Sequence, residues 1–189
     1  SGNGYLCRKL ARAGAIMTGV ELSDRFLEIA VGREREEKLG IAYYHPSASE
    51  MDSLPDSCFD KAVSNYVLMD VRDYTSALSH VCRVLRPGGC FVVVISHPCF
   101  SIGPAGWVAP APDSPRPEER KALLADAYFR PGPYLSYWEN FDPILSFHRP
   151  LRDYWRAFVE AGFFIDAFEE PAITDRGRRE LPLWEVEQS

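Results

Sequence analysis

Ser1-Gly2-Asn3-Gly4, the run Tyr5 to Gly14, and Ala15-Ile16-Met17-Thr18-Gly19-Val20-Glu21 open this chain, and their reading decides its fold. Two close glycines, an amphipathic segment, a short apolar strand and an acid at the strand's end form half of a nucleotide-binding βαβ unit. Glu21 lies seventeen residues past Gly4, about the spacing with which such units reach a ribose. Gly2 and Gly4 let a ligand approach the backbone with no Cβ in the way. The helix start beyond them offers unpaired N–H groups. The strand that would deliver the glycines is not in the sequence. Upstream residues are therefore expected to complete the sheet. Without a central strand, buried backbone groups lose partners at roughly 1–3 kcal/mol each, so this chain alone is not expected to unfold as a stable cooperative monomer.

Working outward, Tyr5 to Ala13 has helical spacing, with Leu6, Leu10 and Ala13 on one face and Arg8, Lys9 and Arg12 on another. Ala15 to Val20 reads as a strand. Ser23 caps a helix running to about Leu39, with Phe26, Leu27 and Ala30 inward and a solvated, ion-paired tail from Arg33 to Lys38. Ile41 to His45 is the next strand, Pro46 to Ser57 a polar segment, and Phe59 to Ser64 a fourth strand. Asp73 to Leu85 is helical. Arg86-Pro87-Gly88-Gly89 turns the chain into Cys90 to Ser96, an almost wholly apolar strand expected to be buried on both faces of a parallel sheet.

Residues 97–147 break the pattern. They hold nine of the fifteen prolines, together with Trp107, Trp138, Tyr128, Tyr134, Tyr137 and four phenylalanines. So much aromatic area favours an ordered cap, with one helix expected at about Glu118 to Tyr128. Alternation resumes with a helix, Leu151 to Ala161, and a strand, Phe163 to Phe168. A last strand, Leu181 to Glu187, is expected to pair with it as an antiparallel hairpin. The organisation is one domain, 1–189, with 97–147 inserted as a cap or lid.

The net charge of −6, from 21 Lys+Arg against 27 Asp+Glu, argues against nucleic acid as the main partner. No apolar run approaches the roughly 18–20 residues that span a bilayer. Five cysteines without a CxxC fit a reducing, cytoplasmic setting, and most are expected to be small buried apolar groups. No pair of histidines has metal-ligand spacing, and no serine elbow is present.

The element order and punctuation resemble class I S-adenosylmethionine-dependent methyltransferases over about residues 1–96 and 147–187. Ser1-Gly2-Asn3-Gly4 resembles the end of that family's glycine-rich motif. Asp52-Ser53-Leu54-Pro55-Asp56-Ser57-Cys58-Phe59-Asp60 is similar to the segment entering its fourth strand, and Val84-Leu85-Arg86-Pro87-Gly88-Gly89 to the turn before its fifth. The resemblance implies a Rossmann-like, doubly wound, mostly parallel sheet that binds S-adenosylmethionine and releases S-adenosylhomocysteine. It implies that Gly2, Asn3 and Gly4 face the methionine end. Glu21, with Leu22 beside it, would meet the ribose. Ser47, standing where the family usually has an acid, would face the adenine with Ala48, Ser49 and Met51. Ser64 and Asn65 would border the methionine portion.

Tyr66 follows at the carboxyl end of the fourth strand, where ligands of open α/β sheets lie, and so would border the acceptor. His97, directly after the fifth strand, is of the residue type that suits a general base. A structural histidine bonded to cap backbone is the alternative at that position. His148 is a second candidate of this kind. Methyl transfer is an in-line displacement that needs alignment more than covalent catalysis. The aromatic cap suits a flat, apolar or cationic small-molecule acceptor. Two other readings stay open: a binding or regulatory domain without turnover, and a nicotinamide-dependent oxidoreductase. The latter wants a small residue where Cys7 stands.

Overall fold

A computed structural model describes residues 1–100, 106–108, 122–124, 127–136 and 142–172. The chain divides into two compact units, Ser1–Val94 and Ile95–Ser189.

In the first unit, helices alternate with parallel strands. α1 (Tyr5–Arg12) packs Cys7 and Arg8 inward, so the expected cationic face is split. Arg8 is buried because it has partners. Its Nη1 donates to the Asn3 carbonyl at 2.8 Å, and its Nε lies 3.2 Å from Glu37 Oε1. A buried guanidinium without such partners would be strongly unfavourable. β1 (Thr18–Val20) leads to α2 (Asp24–Glu37), whose N-cap Ser23 accepts from the Phe26 N–H at 3.4 Å. The tail of α2 is more than a solvated face. Glu37 also pairs with Arg12, and Glu34 Oε1 accepts from the Gly40 N–H at 2.7 Å.

β2 (Ala42–Tyr44) pairs in parallel with β1, Gly19 opposite Tyr43. β3 (Phe59–Asn65) pairs in parallel with β4 (Leu85–Val94), Ala62 opposite Phe91 and Asn65 opposite Val94. Between them runs α3 (Tyr74–Val84). Among the described residues these are two separate two-stranded sheets. Arg86 to Gly89, expected as a turn, lies inside β4, beside a register shift between Phe59 and Lys61. A Cβ on Gly89 would come within 2.9 Å of the Arg86 carbonyl and 3.1 Å of the Asp60 carbonyl, so a side chain there would require the backbone to shift.

Met51, Leu54 and Val84 form a buried cluster, joined by Val20, Cys58, Phe59 and Val81. The expectation that Cys90 to Ser96 is buried on both faces is not met. Val92 and Val94 are 49% and 37% exposed, because no described element covers that face of the β3–β4 pair. For the same reason Cys90 is exposed. All five cysteines are free, and only Cys7 is buried.

The second unit contains two antiparallel pairs, β5 (Gly106–Val108) with β6 (Ala122–Leu124) and β7 (Gly132–Ser136) with β8 (Ile144–His148), followed by α4 (Leu151–Glu160). The helix expected at Glu118 to Tyr128 is corrected. Residues 122–124 form strand β6, opposite Val108–Gly106, and Arg130 N–H closes a turn onto the Ala127 carbonyl at 2.9 Å. Cross-strand pairing overrides local helical spacing here. Tyr128 ties the turn into α4. Its carbonyl bonds His148 Nε2 at 2.8 Å, and its hydroxyl accepts from the Leu151 N–H at 3.1 Å. Phe163 to Phe168 is not a strand, and Phe164 is 99% exposed. A strand forms only when its backbone is paired, and the expected partner, Leu181 to Glu187, lies outside the described residues. No helix among the described residues is long and apolar enough to cross a membrane.

Asp73 caps α3. Its carboxylate accepts from the Ser76 N–H and the Thr75 hydroxyl, both at 2.9 Å. Replacing Asp73 with Ala is expected to lower stability by about 1 kcal/mol, read as a shifted urea midpoint at unchanged slope, with Asp73→Ser losing less.

Candidate functional site

The glycine turn is closed by Gly4 N–H donating to the Ser1 carbonyl at 3.2 Å. Gly2 and Gly4 adopt φ of 57° and 75°, in the left-handed region that glycine enters without penalty. The two glycines face different surroundings. A Cβ on Gly2 would meet nothing within 4 Å, whereas one on Gly4 would collide with the Tyr43 hydroxyl. The turn therefore packs down through Gly4 and opens outward at Gly2. Asn3 fastens it to α1, its Oδ1 accepting from the Tyr5 N–H at 3.1 Å.

Glu21 follows β1 and reaches the same turn. Its Oε2 accepts from the Gly2 N–H at 2.6 Å and from the Ser1 amine at 3.0 Å, and its Oε1 accepts from the Ser23 N–H at 2.9 Å. The turn and the acid, nineteen residues apart for Gly2, are one bonded unit. Burial pushes the Glu21 carboxyl up. The Ser23 N–H, the charge and hydrogen bond of the Ser1 amine, and the Gly2 N–H outweigh it, and the net pKa falls below the ordinary value. Carboxylate oxygens retain acceptor capacity beyond these bonds, which suits a vicinal diol. Leu22 next to it is 64% exposed, its carbonyl bonded by His45 Nε2 at 2.8 Å.

The loop after β2 carries the next group. Ser47 Oγ is engaged within the loop, 2.8 Å from Ser49 Oγ and accepting from the Ser49 N–H at 3.3 Å. The Glu50 N–H donates to the Ser47 carbonyl at 3.0 Å, and the Glu50 side chain is exposed. Met51 is buried in the core cluster. Of the loop's acids, Asp56 pairs with Arg83 and Asp52 stands 4.0 Å from His80 Nδ1. Glu50 is in no ion pair among the described residues. Glu50, an acid beside Met51, is a further candidate in this loop.

Ser64, Asn65 and Tyr66 end β3. Ser64 Oγ is buried and has no hydrogen-bond partner among the described residues. Tyr66 has φ 52°, unusual for a bulky residue, and its N–H donates to the Val94 carbonyl at 2.9 Å while its ring is 56% exposed. Such strain concentrates at functional positions. The glycine turn, Glu21, the 47–51 loop and Ser64–Tyr66 thus all belong to the first unit. Glu21 and the loop follow the carboxyl ends of β1 and β2, and Ser64–Tyr66 lie at the carboxyl end of β3.

His97 belongs to the second unit. Its Nδ1 accepts from the Cys99 N–H at 3.2 Å, so its ring proton is on Nε2, 3.1 Å from Glu170 Oε1. Its ring lies 5.0 Å from that of Phe100. His148 is buried and bonded to Tyr128, as described above. Trp138 and Tyr137 lie outside the described residues.

Residues 1–93 match the methyltransferase domain family. Demethylmenaquinone methyltransferase of Tropheryma whipplei (strain Twist) is 33% identical over 105 residues, 55% of this chain and 43% of that protein. Ubiquinone biosynthesis O-methyltransferase of Paramagnetospirillum magneticum is 33% identical over 92 residues, 49% of this chain and 36% of that protein. The chain thus spans less than half the length of these curated relatives. Among solved structures, an S-adenosylmethionine dependent methyltransferase from Mesorhizobium loti superposes with TM-score 0.80 at 29% identity, covering 98% of this chain and 82% of that one. A putative S-adenosylmethionine dependent methyltransferase from Listeria monocytogenes, at 22% identity and TM-score 0.74 over 90% and 76%, shares the fold. The architecture is accordingly the Rossmann-like α/β fold, with parallel strands and an antiparallel hairpin.

A lowered folded-state pKa at Glu21 contributes stability that is present above the ordinary glutamate pKa and is lost as pH falls through the lower folded value. Glu21→Gln is therefore expected to flatten the acid limb of the stability–pH profile below about pH 5 relative to the parent protein, measured by urea unfolding at stepped pH.

Proposed function

We propose that this chain is a class I S-adenosylmethionine-dependent methyltransferase that transfers a methyl group from S-adenosylmethionine to a small-molecule acceptor. The observation that carries the reading is the joining of the open glycine turn to the Glu21 carboxylate by the 2.6 Å Gly2 bond. Amide donors and a diol acceptor thereby stand together, as an adenosyl amino acid requires. When bound, S-adenosylmethionine supplies a methyl group on a sulfonium whose departure leaves the neutral thioether S-adenosylhomocysteine.

The chain's own work is binding and alignment. Glu21 holds the ribose hydroxyls, with Leu22 at its side. Gly2, Asn3 and Gly4 face the amino acid end, and Ser64 and Asn65 border it, the unpartnered Ser64 hydroxyl offering a further donor. Ser47, Ala48, Ser49 and Met51 enclose the adenine. Because the Ser47 hydroxyl is engaged with Ser49, Glu50 is the better acceptor for the adenine amino group. Tyr66, turned outward by its left-handed backbone, borders the acceptor.

Where the acceptor must lose a proton, His97 and Glu170 handle it. With Nδ1 engaged by Cys99, Nε2–H donates to Glu170, and the carboxylate is the basic end of the pair. The aromatic composition of 97–147 suits a flat or apolar acceptor. The names of the quinone-pathway relatives support a small ring-bearing acceptor. Free cysteines support a cytoplasmic location.

Calorimetry is expected to show S-adenosylhomocysteine binding that weakens at least tenfold in Glu21→Ala, an effect of the size of a lost charge-assisted hydrogen-bond pair. Trp107→Ala is expected to raise KM for a quinol or phenol acceptor and to leave S-adenosylhomocysteine affinity unchanged. Binding of NADH in place of S-adenosylhomocysteine would overturn the reading.

A further inference from the structure

We infer that Arg83 is a positioning residue for cofactor selection, orienting by one guanidinium the loop that faces the adenine. The inference rests on the adenine assignment made above. Residues 46–57 contain no helix or strand, yet this loop must hold Ser47 to Met51 in a definite geometry. Its burial comes from Met51 and Leu54, which fix where it sits but not how its peptide groups point. The pointing is set from α3. Ser76, His80 and Arg83 lie at positions i, i+4 and i+7, along one face of that helix.

Each of the three addresses the loop. Ser76 Oγ donates to the Ser49 carbonyl at 3.3 Å. His80 Nδ1 stands 4.0 Å from Asp52 Oδ1. Arg83 makes the dense set. Nη1 donates to the Leu54 carbonyl at 2.8 Å and to Asp56 Oδ1 at 2.5 Å, and Nη2 donates to the Met51 carbonyl at 2.7 Å. Nη2 also lies 3.4 Å from His80 Nδ1, which steadies the guanidinium plane. The Leu54 N–H closes a turn onto the same Met51 carbonyl at 3.1 Å. Fixing the Met51 carbonyl fixes the Met51–Asp52 peptide, the carboxyl end of the stretch Ser47 to Met51. Only a planar fork with several donors satisfies three acceptors on one short loop at once; a lysine ammonium has neither the reach nor the fixed directions.

The test compares S-adenosylhomocysteine with S-inosylhomocysteine, in which the adenine amino group is replaced by a carbonyl oxygen. Calorimetric titrations of the parent protein, Arg83→Gln, Arg83→Lys and Glu21→Gln read both affinity and the ratio between the two ligands. In Arg83→Gln, S-adenosylhomocysteine affinity is expected to fall at least tenfold and the ratio to collapse toward one, with partial recovery in Arg83→Lys. In Glu21→Gln both ligands weaken alike and the ratio is kept. An Arg83→Gln protein with the parent's ratio, or one weakened equally for both ligands, overturns the inference and leaves the cofactor reading standing. A parent protein that binds neither ligand overturns the cofactor reading itself. If Arg83→Gln does not fold, Arg83→Lys and Asp56→Asn carry the test, and an unchanged ratio in both folded variants sinks the proposal.

Discussion

The first unit depends on a single carboxylate. Glu21 follows a three-residue strand, and its two oxygens gather the N–H groups of Gly2 and Ser23. Those groups belong to the turn before α1 and to the cap of α2. One side chain therefore sets the distance between the glycine turn and the start of the second helix. Because it is partly buried, its charge is held by backbone donors, which is the least costly way to keep a carboxylate ionised out of water.

A second polar brace lies beneath the same turn. Arg8 leaves the expected outward face of α1 to donate to the Asn3 carbonyl and pair with Glu37, which also takes Arg12. The Tyr43 hydroxyl, buried with no hydrogen-bond partner among the described residues, abuts Gly4 beside this cluster. The turn is thus supported from below by charge and from the side by Glu21, and its open side is at Gly2. The turn is packed at Gly4 and open at Gly2.

The loop between β2 and β3 follows the same design with different means. Its apolar residues Met51 and Leu54 plug into the core beside Val84, while α3 holds its carbonyls through Arg83 and Ser76. Hydrophobic burial alone is non-directional. Hydrogen bonds from a helix face add direction.

Local patterns in the chain carried much of the architecture. The helix of Tyr5–Arg12, the Ser23 cap, the Asp73 helix start, and the strands ending at Val20 and Asn65 all follow from short-range periodicity and capping chemistry, which depend on neighbours a few residues away. The glycine turn and Glu21 were legible for the same reason, through spacing and residue type. Partners far apart in the chain were not. The inward turn of Arg8, the engagement of Ser47 by Ser49, the triple grip of Arg83 and the pairing of Gly106–Val108 with Ala122–Leu124 are settled by which atoms meet in three dimensions. A strand exists only with its partner, and a charge is buried only with its counter-charge. Propensity written along the chain cannot name either one; folding supplies both at once.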